Sequence, residues 1–141
     1  MLSLRVSFFL VLFACSTTGS NEPWKVELVT SGGITGRGNG NITIESTGVV
    51  SATSMSGRGC TFTLTPDELR PVADAVRRAR TWAPSYLPQD TCCDRIESAL
   101  TLTRGGKVQK TVWITEPLPM PADLTALADA IQRVKSGHEC T

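Results

Sequence analysis

Apolar and polar residues alternate in several short stretches of the chain, which is the period of a strand with one buried face. The alternation is present in Trp24–Thr30, Ile42–Glu45, Val49–Thr53, the shorter Cys60–Leu64, Ile96–Thr103 and Val108–Thr115. Residues 31–41 are rich in glycine and predict a loop between the first two stretches. The pattern indicates an antiparallel sheet of about four to five strands.

Two further stretches carry apolar residues at helical spacing. The first begins with Thr65-Pro66-Asp67-Glu68, which has the sequence of a capping box with proline at the first helical position. It predicts a helix that ends near Trp82, before Pro84; the second helix starts at Pro121 and ends at Gly137. The apolar stripes consist of Leu69, Val72, Ala73, Val76 and Ala79, and of Leu124, Leu127, Ala128, Ile131 and Val134.

The order of strands, helix, hairpin and helix predicts an α+β fold with both helices on one face of the sheet. We expect residues 24–141 to form a single domain, because some 120 residues supply one core and are too few for two.

Residues 1–14 have the composition of a lipoprotein signal peptide. Arg5 gives a basic start, eight mostly apolar residues follow, and Ala14 places a small residue directly before Cys15. Eight residues reach roughly 12 Å as a helix, far short of the ~30 Å hydrocarbon core, so a signal peptide fits better than a membrane span. An ordinary secretion signal cleaved nearer Ser20 is the alternative.

The first interpretation predicts an exported protein of a bacterial cell envelope, anchored by a lipid on Cys15. Residues 15–23 are small and polar and predict a flexible tether. Ser16, rather than aspartate, follows the cysteine, which favours the outer membrane if the host has two membranes. The oligomeric state is left open.

Charge argues against nucleic acid as a partner. The chain has 14 lysines and arginines against 13 aspartates and glutamates, and removal of residues 1–14 takes away one arginine. The remaining chain is formally neutral and has no basic block, which nucleic-acid binding requires.

With Cys15 assigned to the lipid, four cysteines remain: Cys60, Cys92, Cys93 and Cys140. An even number in an exported domain predicts two disulfides. A Cys92–Cys93 bond would close a strained ring and ranks last. The other two pairings each join one of Cys92 and Cys93 to Cys60 and the other to Cys140. Of these two, the alternation of the flanking strands favours Cys60–Cys92 with Cys93–Cys140.

Little in the sequence indicates catalysis or a bound cofactor. His138 is the only histidine, so a catalytic triad has no basis, and we expect no enzyme activity, no cofactor and no metal. A metal-binding or redox site built from Cys92, Cys93, His138 and Cys140 is the alternative, although structural zinc sites usually space their cysteines by two to four residues.

Several spaced motifs remain to be placed. The first is Val26–Gly36, a strand followed by a Gly-Gly-x-x-Gly turn. The others are Leu64–Leu69, Asp94 before the strand Ile96–Thr103, and Pro121 with Leu124 and Leu127. Together these motifs resemble the emfourins, small protein inhibitors of thermolysin-like metalloproteases. Four additional cysteines and a longer glycine-rich loop depart from the family pattern.

The resemblance implies a metallopeptidase as partner and assigns the binding surface to Gly32, Gly33, Ile34, Thr35 and Gly36. The leading hypothesis is therefore a non-enzymatic, disulfide-stabilised binding domain on a lipid-anchored protein that inhibits such a peptidase. A structural or accessory lipoprotein that binds another envelope protein is the rival, since a shared fold does not establish a shared target.

Overall fold

The computed structural model of this chain describes residues 22–34, 36, 38–89, 95–114, 118–138 and 140. The predicted signal peptide, Cys15 and residues 16–21 of the tether lie outside these ranges. The first half contains β1 (Trp24–Gly32), β2 (Asn41–Glu45), β3 (Val49–Thr53), β4 (Gly59–Thr63) and α1 (Pro66–Arg78). The second half contains β5 (Ser85–Tyr86), β6 (Ile96–Arg104), β7 (Lys107–Ile114) and α2 (Ala122–Gly137).

The strands form one mixed sheet in the order β4-β3-β2-β1-β6-β7-β5. The α+β class is confirmed, but the predicted four to five strands are too few, and the sheet is not wholly antiparallel. The extra strand β5 pairs in parallel with β7 through Ser85 and Tyr86. Two residues between prolines are too short to show any alternation, so this strand had no signal in the sequence.

Both helices share one core with the sheet. The buried strand residues in it lie on alternate positions that face each other across the register, such as Val26 with Ile44 and Leu102. The core side of the helices is formed by Val72, Ala75 and Val76 in α1 and by Leu124, Leu127, Ala128, Ala130, Ile131 and Val134 in α2. The opposite strand positions, for example Lys25, Thr43 and Lys110, are exposed or half-buried. The two helices therefore cover one face of the sheet, and the other face is mainly polar with a few exposed valines, Val49 and Val108 among them.

The start of α1 follows the predicted capping box. The Thr65 hydroxyl accepts the Glu68 N–H, and the Glu68 carboxylate accepts the Thr65 N–H at 2.8 Å. The helix ends at Arg78, four residues before the predicted end near Trp82. The reason lies in α2: the Asp123 carboxylate accepts the Arg80 N–H at 2.8 Å and the Trp82 indole N–H at 2.9 Å. These bonds draw the chain out of the helix and bury Trp82 in the core.

Arg104, in β6, donates hydrogen bonds to the C-terminal end of α1. Its guanidinium donates to the carbonyls of Val76, at 2.7 Å, and Ala79, at 3.4 Å. The Val76 carbonyl also accepts the Ala79 N–H at 3.3 Å, so the guanidinium adds a second donor there and complements the helix dipole. None of the helices in the described ranges is both long and apolar enough to cross a membrane.

Candidate binding surface

The turn that follows β1 holds its shape through main-chain hydrogen bonds. The Gly33 N–H donates to the Arg95 carbonyl at 3.3 Å, which ties the turn to the start of β6. The Gly36 N–H donates to the Gly33 carbonyl at 2.9 Å, and the Gly38 N–H donates to the Gly32 carbonyl at 3.0 Å. Of the residues assigned to the partner surface, Gly32, Gly33, Ile34 and Gly36 are described here, whereas Thr35 lies outside the described residues.

Ile34 lies at the tip of this turn with 94% of its surface exposed. No other large apolar side chain in the described part of the chain is as exposed. Because the turn holds Ile34 in water, covering its side chain with a partner's surface lowers the free energy of the system.

Gly32 cannot be replaced without a change in this turn. Its φ is +86°, and a Cβ at this position would overlap the Arg95 carbonyl oxygen. Gly36 also has a positive φ, +69°, but a Cβ added there would meet no atom within 4 Å. Gly32 is therefore required for close packing of β1 against β6, and Gly36 only for its backbone conformation.

The remainder of the glycine-rich loop is held by Thr30, a residue at a core-facing position of β1. Its hydroxyl donates to the Gly40 carbonyl at 2.7 Å and accepts the Asn39 N–H at 2.8 Å. The Thr30 N–H donates to the Asn41 side-chain oxygen at 3.2 Å. Thr30 is buried, so its bond to Gly40 is shielded from water, and the three bonds together fix the loop against the sheet.

Lys135 near the end of α2 supports the same loop from the helix layer. Its ammonium donates to the carbonyls of Asn39 and Gly40, the second at 3.0 Å. Burial lowers the pKa of Lys135. No carboxylate of the described residues lies within ion-pair distance of this ammonium.

The C-terminal segment is fixed to β4 and α1. Cys140 forms a disulfide with Cys60, with 5.5 Å between their Cα atoms. The His138 ring stacks on Phe62 at 4.4 Å, and its Nε2 lies 3.1 Å from the Glu68 carboxylate. Hydrogen bonds from the Thr65 backbone and hydroxyl, and then from His138, lower the pKa of Glu68.

The Cys60–Cys140 bond overturns the favoured pairs Cys60–Cys92 and Cys93–Cys140, and equally the alternative pairs Cys60–Cys93 and Cys92–Cys140. The prediction placed Cys60 on the core side of its strand, as observed, but it did not foresee that α2 ends beside β4 and brings Cys140 within reach of Cys60. Cys92, Cys93 and Asp94 lie outside the described residues.

The alternative metal or redox site also loses a ligand, because the sulfur of Cys140 is bonded to Cys60. His138 is engaged by Phe62 and Glu68. Within the ranges that the structure describes, no three histidine, cysteine, aspartate or glutamate side chains come together in a way that could hold a metal ion.

Three residues of this region were not predicted to take part in it: Thr30, Lys135 and, in its contact with Phe62, His138. Thr30 carried a signal, since it is a polar residue at the position where the alternation of β1 requires an apolar one. Lys135 and His138 carried none, because their roles depend on where the end of α2 lies in space.

A groove of about 510 Å³ lies beside the loop. Its walls are the loop, the β3–β4 turn and the end of α2, and its lining residues are Asn39, Ala52, Thr53, Ser54, Met55, Ser56, Gln132, Lys135, Ser136, His138 and Cys140.

Comparison of the chain with protein-family models, with curated proteins and with solved structures finds no match.

Proposed function

We propose that this protein is a non-enzymatic binding protein that inhibits a thermolysin-like metallopeptidase, and that a lipid on Cys15 anchors it in a bacterial cell envelope. The exposure of Ile34 at the tip of a hydrogen-bonded turn is the observation that supports the proposed inhibition. The composition of residues 1–15 supports the second.

An inhibitor of this kind occupies the substrate cleft with a rigid projecting segment. Ordering a flexible loop on binding costs about 0.5–1.5 kcal/mol for each immobilised side chain, and a turn that is already ordered avoids much of this cost. Here main-chain hydrogen bonds close the turn, and the side chains of Thr30 in β1 and Lys135 in α2 both donate to the Gly40 carbonyl of the loop. Ile34 is then the apolar anchor that enters the cleft.

The test is titration of the oxidised full-length chain, purified in detergent, into a thermolysin-like protease while peptide cleavage is followed. We expect stoichiometric inhibition. Covering an isoleucine contributes about 1.5–3 kcal/mol, and a buried unpaired carboxylate costs more, so Ile34→Asp should raise the inhibition constant at least about 100-fold.

Val108→Asp is the matched control. Val108 is 66% exposed on β7, at the opposite end of the sheet from the turn, and pairs with Thr103. The Val108→Asp substitution should leave both the inhibition constant and the Tm unchanged. Absence of inhibition by the wild-type chain at micromolar concentration would favour the rival function, an accessory lipoprotein that binds another envelope protein.

A further inference from the structure

The groove beside the glycine-rich loop combines one cation with several neutral hydrogen-bonding side chains. Lys135 lines it together with Gln132, Ser136, Ser54 and Ser56. The groove joins the proposed inhibitory turn, since Asn39 belongs both to its lining and to the loop that carries Ile34.

The ammonium of Lys135 is the electrostatic centre of the groove. It is partly removed from water, and its described partners are two carbonyl oxygens, which solvate the charge without neutralising it. Burial lowers the pKa of this group, because desolvation disfavours the charged form. A carboxylate near a half-buried cation gains more than it would in bulk water.

The β3–β4 turn on the opposite side of the groove contributes one large apolar side chain, Met55, beside the hydroxyls of Ser54 and Ser56. Met55 is 59% exposed on the turn between β3 and β4. That turn is closed by the Ser54 N–H, which donates to the Arg58 carbonyl at 2.8 Å, and by the Gly57 N–H, which donates to the Ser54 carbonyl at 3.0 Å. Met55 therefore offers a surface for the aliphatic stem of a side chain whose charged end reaches Lys135.

We propose that this groove binds an acidic side chain, aspartate or glutamate, from the same partner that the turn with Ile34 engages. The identity of that partner rests on the proposed function, whereas the preference for a carboxylate does not. The proposed interface thus has two parts: the turn enters a cleft of the peptidase, and an acidic residue at the rim of that cleft enters the groove.

The carboxylate preference is tested on the full-length protein without any peptidase. The probes are acetyl-glutamate amide and acetyl-glutamine amide, which differ only in charge and are titrated at millimolar concentration while the backbone amide signals of Gln132 and Ser136 are followed by NMR. We expect saturable shifts at least threefold larger with the glutamate probe. Equal shifts with the two probes, or none, would overturn the groove as a carboxylate site.

The shared interface is tested by inhibition. Ser136→Glu places a negative charge in the groove on an exposed residue and should raise the inhibition constant at least tenfold. Thr125→Glu adds the same charge to the exposed first turns of α2, away from the groove, and should change it less than twofold. Thermal unfolding of both variants shows whether the fold is retained.

A third variant addresses the chain's own carboxylate, Glu139, which follows Lys135 by four positions and lies outside the described residues. Glu139→Gln should leave inhibition unchanged or strengthen it, and weaker inhibition would contradict the proposal. If Ser136→Glu inhibits as wild type does while the probes still bind, the groove stands and the shared interface is wrong. Absence of inhibition by the wild-type chain refutes the proposed function and the shared interface, but the probe titration still decides the groove.

Discussion

Replacing Gly32 and Gly36 separately by alanine tests whether the turn is rigid for the reason given. Both glycines have positive φ, and neither change alters charge. An alanine held at such a φ costs roughly 1–2 kcal/mol, and the reduced freedom of the unfolded chain returns about 0.4–1 kcal/mol. Gly36→Ala, whose new methyl group meets no neighbour, should therefore lower the free energy of unfolding by about 1 kcal/mol.

Gly32→Ala adds a steric conflict with the Arg95 carbonyl. Because that carbonyl is part of the backbone leading into β6, it cannot rotate away, and overpacking of this kind costs about 1–3 kcal/mol more. The total loss at Gly32 should thus be about 2–4 kcal/mol. At roughly 4 °C per kcal/mol for a domain of this size, the two variants should differ in Tm by about 4–12 °C.

The assay is thermal and urea unfolding followed by circular dichroism, with inhibition measured at a temperature where both variants are folded. Gly32→Ala should weaken inhibition more than Gly36→Ala, because it shifts the base of the turn that displays Ile34. Equal Tm values for the two variants would refute the argument that contact with Arg95 sets the geometry of the turn.

Three further predictions concern the packing that supports this surface. Asp123→Ala leaves the Arg80 and Trp82 N–H groups without an acceptor and should cost about 2–3 kcal/mol in urea unfolding; a loss below about 0.5 kcal/mol would disprove the role of Asp123 at the α1–α2 junction. Burial raises the pKa of Asp123, but the hydrogen bonds that its carboxylate accepts outweigh this effect and lower the pKa overall. The contribution of Asp123 to the free energy of unfolding is therefore present above the ordinary aspartate pKa and is lost as pH falls through the lowered pKa. Asp123→Ala should therefore flatten the acid limb of the stability profile. Peptide mapping of the oxidised protein should recover Cys60 linked to Cys140, and Cys140→Ser should cost about 4 kcal/mol given the 80-residue separation; recovery of Cys60 linked to Cys92 would contradict the observed pair. Lys135→Met removes the donor to Asn39 and Gly40 and should speed amide hydrogen exchange in residues 38–40, whereas Lys110→Met on the exposed sheet face should not.

Much of the core was predictable because each element repeats its pattern several times, although in α1 the predicted Ala73 is only half-buried and Ala75 is buried instead. The stripe of α2 was read correctly at all five positions, from Leu124 to Val134, because a helix of 16 residues shows the same spacing over four turns. The capping box of α1 was equally local, since Thr65 and Glu68 contact each other within one turn.

Contacts between distant segments could not be read in this way. The end of α1 is set by Asp123, more than 40 residues away in sequence, and the Cys60 partner is set by the path of α2 across the sheet. The geometry of the candidate surface was only partly predictable for the same reason: the Gly33–Gly36 bond of the turn is local in sequence, whereas Arg95 and Lys135 support it from distant segments.

The sheet ends in two short strands, β4 with five residues on one side and β5 with two on the other, while the central strands β1 and β6 have nine each. An unpaired edge is a template on which a second chain can add a strand, and the gain grows with the number of main-chain hydrogen bonds offered. Here β4 offers only five residues at one edge, whereas at the other edge β5 pairs with only Val112 and Trp113 of the eight-residue β7. The molecule can therefore carry long central strands and an exposed apolar tip while its β4 edge gives neighbouring copies only a short strand on which to start aggregation.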